Sequence, residues 1–210
     1  ITLRVYSARD GEMAGKVLVL DLDKCIRCYS CEVACKQENN LPRGVRWLRV
    51  VTIGPRMIKG ELHMDFVPTM CLHCDEPTCA HFCPTNAIIK TRDGVVIVDK
   101  QKCTGCKLCV YACPYGMMCF DSEKKIAGKC DLCASRVDAG LEPSCVKHCI
   151  GGALQFLEEE KVKKTFQGRH MACTGKVCYV SNKWKLSLKR GSLDHQPLLP
   201  LREFNHKQKH

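Results

Sequence analysis

Residues 103–114 read Cys103-Thr104-Gly105-Cys106-Lys107-Leu108-Cys109-Val110-Tyr111-Ala112-Cys113-Pro114, and this stretch decides the fold of the chain. Two residues separate each of the first three cysteines from the next, and three residues separate the third cysteine from the fourth. A tight loop of this spacing directs three thiolates to one side, whereas the fourth lies one helical turn further on and points elsewhere. The stretch therefore predicts a metal-binding loop followed by a short helix.

The same pattern occurs four times along the 210 residues, and it accounts for 16 of the 19 cysteines. The groups are Cys25, Cys28, Cys31 and Cys35; Cys71, Cys74, Cys79 and Cys83; Cys103, Cys106, Cys109 and Cys113; and Cys130, Cys133, Cys145 and Cys149. Each group ends in Cys-x3-Cys although the gaps before that step vary, so the group is a repeated structural unit. The odd total also argues against a complete set of disulfides.

This spacing is typical of two-cluster iron–sulfur ferredoxins, in which the fourth cysteine of one group binds the neighbouring cluster. Four groups therefore predict four [4Fe–4S] clusters in two pairs. A zinc-based binding module is the alternative, because zinc sites also use Cys-x2-Cys. However, a zinc site has no use for the third cysteine of Cys-x2-Cys-x2-Cys, so we favour the iron–sulfur interpretation.

The formal net charge of +11 suggests at first a nucleic-acid or membrane-surface binder. Four thiolate-bound clusters would lower this charge to about +3, which removes the main support for nucleic acid as a partner. No apolar run approaches the ~18 residues of a membrane helix, so we expect no direct membrane insertion. Without a recognisable signal peptide the expected location is cytoplasmic, and co-export to the periplasm with a partner is the alternative.

Short apolar runs predict strands between the cysteine groups. These strands cover residues 16–21, 62–67, 87–90, 95–98 and 153–157, the third and fourth being joined by an Asp-Gly turn. Short helices are predicted over Cys31 to Cys35, Cys79 to Cys83, Cys109 to Cys113, and Cys145 to Cys149. The predicted fold class is α+β with little continuous hydrophobic core.

The second and third groups are separated by 19 residues, so they are expected to pair with each other and to leave the first and fourth as the other pair. The predicted organisation is two tandem double-cluster modules of bacterial-ferredoxin type, the second inserted in the first. Residues 1–57 and 124–160 form the first module, and residues 58–123 form the inserted one. Residues 161–210 are interpreted as a C-terminal extension, either flexible or wrapped around a partner.

Several other residues admit a less specific interpretation. Histidines inside the groups are His73, His81 and His148. We assign them to packing or hydrogen bonding, because no group lacks a cysteine that a histidine would replace. Cys119 is interpreted as a small buried residue, and Cys173 and Cys178 as free thiols rather than an additional metal pair. No nucleophile–base pair, phosphate loop or paired-carboxylate site is visible, so the chain is predicted to be non-catalytic.

Over residues 16–157 the sequence resembles a known family, the four-cluster, ferredoxin-like electron-transfer subunits of molybdopterin or tungstopterin oxidoreductases of the dimethyl sulfoxide reductase type. The resemblance rests on Cys25–Asn40, Gly44–Trp47, Cys103–Cys109 with Cys113–Gly116, and above all Lys129–Cys133 followed by Arg136–Cys145. One position departs from the family pattern. Similar proteins usually have proline after the last cysteine, whereas Cys149 is followed by Ile150, which affects the shielding of that cluster.

The resemblance implies a ligand set for each cluster. The sets are Cys25, Cys28, Cys31 and Cys149; Cys130, Cys133, Cys145 and Cys35; Cys71, Cys74, Cys79 and Cys113; and Cys103, Cys106, Cys109 and Cys83. It also implies a relay of electrons to or from a large molybdopterin or tungstopterin catalytic subunit, with a further redox subunit as a second partner. The alternative function is a ferredoxin-type carrier that acts alone or with a hydrogenase or CO dehydrogenase.

Overall fold

The computed structural model describes residues 15–58 and 60–183. In these residues ten strands alternate with short helices. The strands are β1 (Lys16–Asp21), β2 (Leu48–Ile58), β3 (Glu61–Met70), β4 (Ile88–Lys90), β5 (Val96–Val98), β6 (Cys119–Asp121), β7 (Ile126–Gly128), β8 (Leu154–Glu158), β9 (His170–Thr174) and β10 (Val177–Ser181). The α-helices are α1 (Ser30–Glu38), α2 (Thr78–His81), α3 (Leu108–Ala112), α4 (Ala134–Asp138), α5 (Ser144–Lys147) and α6 (Glu159–Thr165), and Leu22–Lys24 form one 3₁₀ turn. The α+β class is confirmed.

The largest sheet has four strands in the order β8-β1-β10-β9. Strand β1 runs antiparallel to β8 and parallel to β10, with Leu18 opposite Val177 in the parallel pair. Because side chains alternate along a strand, Val17 and Val19 face α6, whereas Leu18 and Leu20 face the cysteine loops. The continuous apolar run of β1 is thus explained by a central strand that is buried on both faces.

Three antiparallel hairpins carry the rest of the sheet structure: β2–β3, β4–β5 and β6–β7. The predicted strand at 62–67 lies within β3, and the hairpin predicted across residues 87–98 is β4–β5. The sequence patterns did not predict β2, which pairs with β3, or the β6–β7 hairpin. The helix predicted over Cys79 to Cys83 is α2, which ends at His81.

The core consists of three clusters of buried side chains. The largest lies between β1, β3 and the cysteine loops, and it includes Leu18, Met70, Leu72, Leu132 and Tyr179. A second lies under α6, and a third lies under α2, α3 and the β4–β5 hairpin. The largest cluster joins residues of the inserted segment to residues outside it. Apolar packing is therefore more continuous than the cysteine-rich composition indicated.

Part of the predicted C-terminal extension is folded. Helix α6, β9 and β10 lie within residues 161–210 or overlap them, and β10 is buried along its whole length beside β1. The interpretation of this stretch as a flexible tail is therefore wrong for the segment that ends at Ser181, whereas its interpretation as a partner-binding arm stays a prediction. The flanking lysines obscured a five-residue apolar strand, and its parallel pairing with β1 depends on long-range packing. The remainder of the predicted extension, from residue 184, lies outside the described residues.

Candidate metal-cluster sites

The four Cys-x2-Cys loops share one backbone feature. The residue just before the second cysteine has a positive φ in every loop: 58° at Arg27, 53° at His73, 74° at Gly105 and 56° at Leu132. A left-handed residue other than glycine costs roughly 1–2 kcal/mol, so these loops are held in a shape that local preference opposes. Such turns form concave nests of N–H groups that bind anions, including iron–sulfur clusters.

Backbone N–H groups in these loops donate hydrogen bonds to cysteine sulfurs. The N–H of His73 donates to Cys71 Sγ at 3.5 Å, and that of Leu132 donates to Cys130 Sγ at 3.4 Å. The N–H of Arg27 makes the corresponding bond to Cys25. Hydrogen bonds of this kind favour the thiolate form of the acceptor. These bonds favour the thiolate form of the first cysteine, although burial outweighs them and raises the pKa of Cys25 and Cys130.

Each of four cavities is surrounded by four cysteines. Site 1 is lined by Cys25, Cys28, Cys31 and Cys149; site 2 by Cys71, Cys74, Cys79 and Cys113; site 3 by Cys103, Cys106, Cys109 and Cys83; and site 4 by Cys130, Cys133, Cys145 and Cys35. These are the four combinations that the resemblance implies.

The short helices exchange the fourth cysteine between neighbouring sites. Helix α1 carries Cys31 at site 1 and, four residues later, Cys35 at site 4. Helix α5 makes the reverse exchange, with Cys145 at site 4 and Cys149 at site 1. Since α1 contacts α5, both exchanges are short. Sites 1 and 4 are therefore structurally coupled.

Sites 2 and 3 are coupled in the same way. Cys79 lies at site 2 and Cys83 at site 3, whereas Cys109 lies at site 3 and Cys113 at site 2. Cys79 lies in α2 and Cys109 in α3, Cys83 and Cys113 follow just after these helices, and α2 and α3 contact each other. The chain thus places the second and third groups side by side, as their separation in sequence suggested.

Three of the exchanged cysteines accept a hydrogen bond from the N–H four residues later. Ala87 donates to Cys83 Sγ at 3.2 Å, Met117 to Cys113 Sγ at 3.4 Å, and Ala153 to Cys149 Sγ at 3.2 Å. The fourth, Cys35 Sγ, lies 3.8 Å from the side-chain nitrogen of Asn39. Donors around ligand sulfurs orient them and tune the potential of a bound cluster.

Burial and mutual repulsion raise the pKa of most of these thiols. Burial, followed by the charges of neighbouring cysteines, raises the pKa of Cys31 and Cys79 to about 12. It also raises the pKa of Cys130 and Cys145 well above the ordinary value. Four thiolates in one such cavity need a cationic core to compensate their charge. Cluster assembly is therefore expected to release protons.

The residues fit a cluster better than a single ion. Among residues 15–58 and 60–183, no group of three or more His, Cys, Asp or Glu side chains is arranged to hold one metal ion. Four cysteines instead line an open space at each site, with Asp131 and Asn39 also in the lining of site 4. Four thiolate ligands of this kind suit [4Fe–4S] clusters.

The histidines inside the groups and Cys119 are accounted for by packing and hydrogen bonding. His148 Nδ1 lies 2.8 Å from the carbonyl of Ser144. His73 Nδ1 accepts from the N–H of Val96 at 3.0 Å, while its buried Nε2 has no partner among the described residues. His81 is exposed. Cys119 is buried, and its thiol donates to the carbonyl of Arg46 at 3.1 Å.

Cys173 and Cys178 form a disulfide, so their interpretation as free thiols is wrong. They lie opposite each other in the antiparallel β9–β10 pair, with Cα atoms 4.0 Å apart. Spacing alone left this outcome open, because it depends on the register of two strands that sequence analysis did not predict.

Lys129 is a site residue that the sequence pattern did not single out. It is a buried lysine in the wall of site 2. Its position directly before Cys130 indicated proximity to site 4 rather than to site 2.

The fold and the four all-cysteine cavities define a ferredoxin-like iron–sulfur protein. Residues 62–159 match the family model described as a 4Fe-4S dicluster domain. The thiosulfate reductase electron transfer subunit of Salmonella typhi is 38% identical over 152 residues, which cover 70% of this chain and 79% of that protein. A sulfite dehydrogenase subunit of Allochromatium vinosum is 39% identical over 166 residues, or 69% of each chain. The chain belongs to the family of iron–sulfur electron-transfer subunits of the molybdopterin oxidoreductases.

Other relatives are matched over a smaller part of their length. A tetrathionate reductase subunit of Salmonella typhimurium is 40% identical over 141 residues, which cover 65% of this chain. The chain spans 55% of that relative. Within the part of the chain that the structure describes, no helix is long and apolar enough to cross a membrane.

Proposed function

We propose that the chain binds four [4Fe–4S] clusters, one at each of sites 1 to 4, and relays electrons without catalysing a reaction. The observation that carries this proposal is the fourfold arrangement of cavities, each with three cysteines from one group and one from another. When bound, such a cluster supplies reversible one-electron chemistry. The residues of this chain hold it, shield it and set its potential.

We further propose that sites 1 and 4 belong to one double-cluster module and sites 2 and 3 to a module inserted in it. The reciprocal exchanges through α1 and α5, and through α2 and α3, support this nesting. We propose that site 4 is next to site 2, because Lys129 lines site 2 and its ammonium group donates to the carbonyl of Cys130 at site 4. With the two exchanges, the proposed order is site 1, site 4, site 2, site 3.

The two ends of this order are more open than its middle. Cys28 at site 1 and Cys106 at site 3 are the exposed members of the sixteen group cysteines, all of which the structure describes. Exposed apolar side chains adjoin both: Ile26 and Ile150 near site 1, and Phe82 and Leu108 near site 3. Electrons are proposed to enter at one end and leave at the other, through a molybdopterin or tungstopterin catalytic subunit and a further redox subunit.

Metal content tests the first part of the proposal. Chain purified without oxygen should contain about 16 iron atoms and about 16 acid-labile sulfides. Near-stoichiometric zinc with little iron would instead support the zinc module. Co-purification with a large pterin-containing subunit separates the relay from the ferredoxin-type carrier, which would be isolated without one.

Ligand exchange is tested by Cys113→Ser, with Cys119→Ser as a buried control outside the four sites. Cys113→Ser should alter the spectrum of the cluster bound by Cys71, Cys74 and Cys79 more than that of the cluster bound by its own group. A larger change in the cluster of Cys103, Cys106 and Cys109 would reject the proposed exchange.

A further inference from the structure

Lys129 occupies an unusual position for a lysine. Its side chain is buried, with 3% of the residue exposed. The ammonium group donates to the carbonyl of Cys130 at 3.0 Å and to the carbonyl of Val96. Both of these partners are neutral backbone carbonyl groups. A buried cation without an anion is costly, so an anion is expected nearby.

A cluster bound at site 2 would provide this anion. Lys129 lines that cavity together with its four cysteines. A [4Fe–4S] cluster with four thiolates carries a net negative charge and becomes more negative when it gains an electron. The ammonium would therefore be compensated by the cluster rather than by a carboxylate.

Lys129 also connects site 2 to site 4 through a series of hydrogen bonds that are joined covalently through Val96 and His73. The Lys129 bridge begins at the carbonyl of Cys130, a site 4 residue, and passes through the Lys129 ammonium to the carbonyl of Val96. The Val96 N–H donates to His73 Nδ1 at 3.0 Å, and the His73 N–H donates to Cys71 Sγ at 3.5 Å. Lys129, Val96 and His73 are all buried, so bulk water screens the bridge little.

We propose that Lys129 is a positioning residue that raises the reduction potential of the cluster at site 2 and orients the backbone around Cys130 at site 4. The proposal rests on the assignment of clusters to these sites. Reduction adds one electron to a cluster and requires no bond to form or break. A fixed positive charge in a poorly screened interior favours the more negative, reduced form, whereas sites 1 and 3, at the far ends of the order, are affected less.

The test compares Lys129→Met, which removes the charge, with Lys129→Arg, which keeps it. Lys161→Met, at an exposed position on α6, is the matched control. The full chain carrying its clusters is titrated potentiometrically and followed by electron paramagnetic resonance, and its iron content is measured in parallel. Cys74→Ser in the same backgrounds identifies which signal belongs to site 2.

Lys129→Met should retain the iron content of the unsubstituted chain but disfavour reduction of site 2 by about tenfold, which is about 59 mV for one electron. Lys129→Arg should restore most of the difference, and Lys161→Met should leave every potential unchanged. Full iron content with all potentials unaltered in Lys129→Met would overturn the proposal. If Lys129→Met does not assemble clusters, Lys129→Gln replaces it, and the presence or absence of the same shift decides.

The proposed function fails in a different way. Were the unsubstituted chain to contain no iron–sulfur clusters, the assignment of the sites would be wrong before Lys129 is considered. Clusters present in the unsubstituted chain, with no response to loss of the Lys129 charge, would reject the role of Lys129 alone.

Discussion

Sites 4 and 3 use the same all-cysteine chemistry in opposite surroundings. At site 4, Cys35, Cys133 and Cys145 are buried, and Cys35 and Cys145 belong to the largest core cluster. At site 3, Cys106 is exposed, and its neighbour Leu108 is exposed as well. The difference indicates that local spacing decides what each site binds, whereas position in the fold decides whether a partner can approach it.

The supporting structure differs in the same direction. Site 4 lies against the four-stranded sheet, whose central strand is buried on both faces. Site 3 lies between the β4–β5 and β6–β7 hairpins, each of which has strands of three residues. Isolated hairpins are marginally stable in water. We therefore expect the region around site 3 to depend on its cluster for order and the region around site 4 to depend on apolar packing as well.

The largest expected effect tests whether burial distinguishes site 4 from site 3. Cys130→Ala should prevent assembly of sites 1 and 4 and reduce the yield of soluble protein, because Cys130 packs against the largest core cluster. Cys106→Ala, at the exposed end, should lose one cluster and leave three. Iron per chain and the soluble fraction measure both outcomes. Equal losses in the two variants would show that burial does not distinguish the sites.

A second test addresses the contact between the C-terminal hairpin and the site 2 loop. Gly175, at the turn between β9 and β10, has a φ of +52°, and a methyl group there would lie 2.0 Å from the carbonyl oxygen of His73. Gly168 is the control, because its φ is +82° but no atom lies within 4 Å of such a methyl group. Gly168→Ala should cost roughly 1–2 kcal/mol from backbone strain alone.

Gly175→Ala should cost more than Gly168→Ala and should also alter the spectrum of the cluster at site 2, since Lys176 N–H donates to the carbonyl of Leu72 at 3.1 Å. Thermal loss of visible cluster absorbance measures the stability of both variants. A site 2 spectrum unchanged in Gly175→Ala would show that the hairpin does not support this loop.

The third expected effect concerns the sheet beside site 1. Arg169 bonds both carboxylate oxygens of Asp21, at 2.8 and 2.6 Å, and Asp21 is 1% exposed. Arg169→Met leaves that buried carboxylate with only Lys24 Nζ, 4.0 Å away, as a cation, so the cost should reach at most about 3–5 kcal/mol. Sites 1 and 4 should be lost at lower temperature, whereas sites 2 and 3 should change less. The double variant Arg169→Met with Asp21→Asn should recover part of the loss, and failure to recover would exclude the unpaired charge as its cause.

The smallest expected effect is that of the disulfide. Cys173 and Cys178 are five residues apart, so breaking their bond releases a short loop and should cost about 2 kcal/mol. The change is confined to the β9–β10 hairpin. Cys173→Ser with Cys178→Ala should therefore lower the thermal midpoint slightly and leave iron content unchanged. Loss of iron in this variant would mean that the pair contributes directly to a site.

Local spacing was sufficient to predict the cysteine loops, the helices α1, α2, α3 and α5, the strands β1, β3 and β8, and the β4–β5 hairpin. These elements depend on neighbours within a few residues: three cysteines on one loop, a fourth one turn later, or an Asp-Gly turn between two apolar runs. The pairing of the second group with the third was also accessible, because few residues separate them.

Long-range packing decided the rest. The parallel pairing of β10 with β1 brings together residues more than 150 positions apart, and a short apolar run flanked by lysines carries no sign of its partner. The Cys173–Cys178 disulfide follows from the register of the β9–β10 hairpin. Lys129 is buried because the segment that carries it packs against the segment that carries Val96. Spacing therefore specifies the chemistry of each loop, whereas the order, exposure and electrostatic surroundings of the sites depend on tertiary contacts between distant segments.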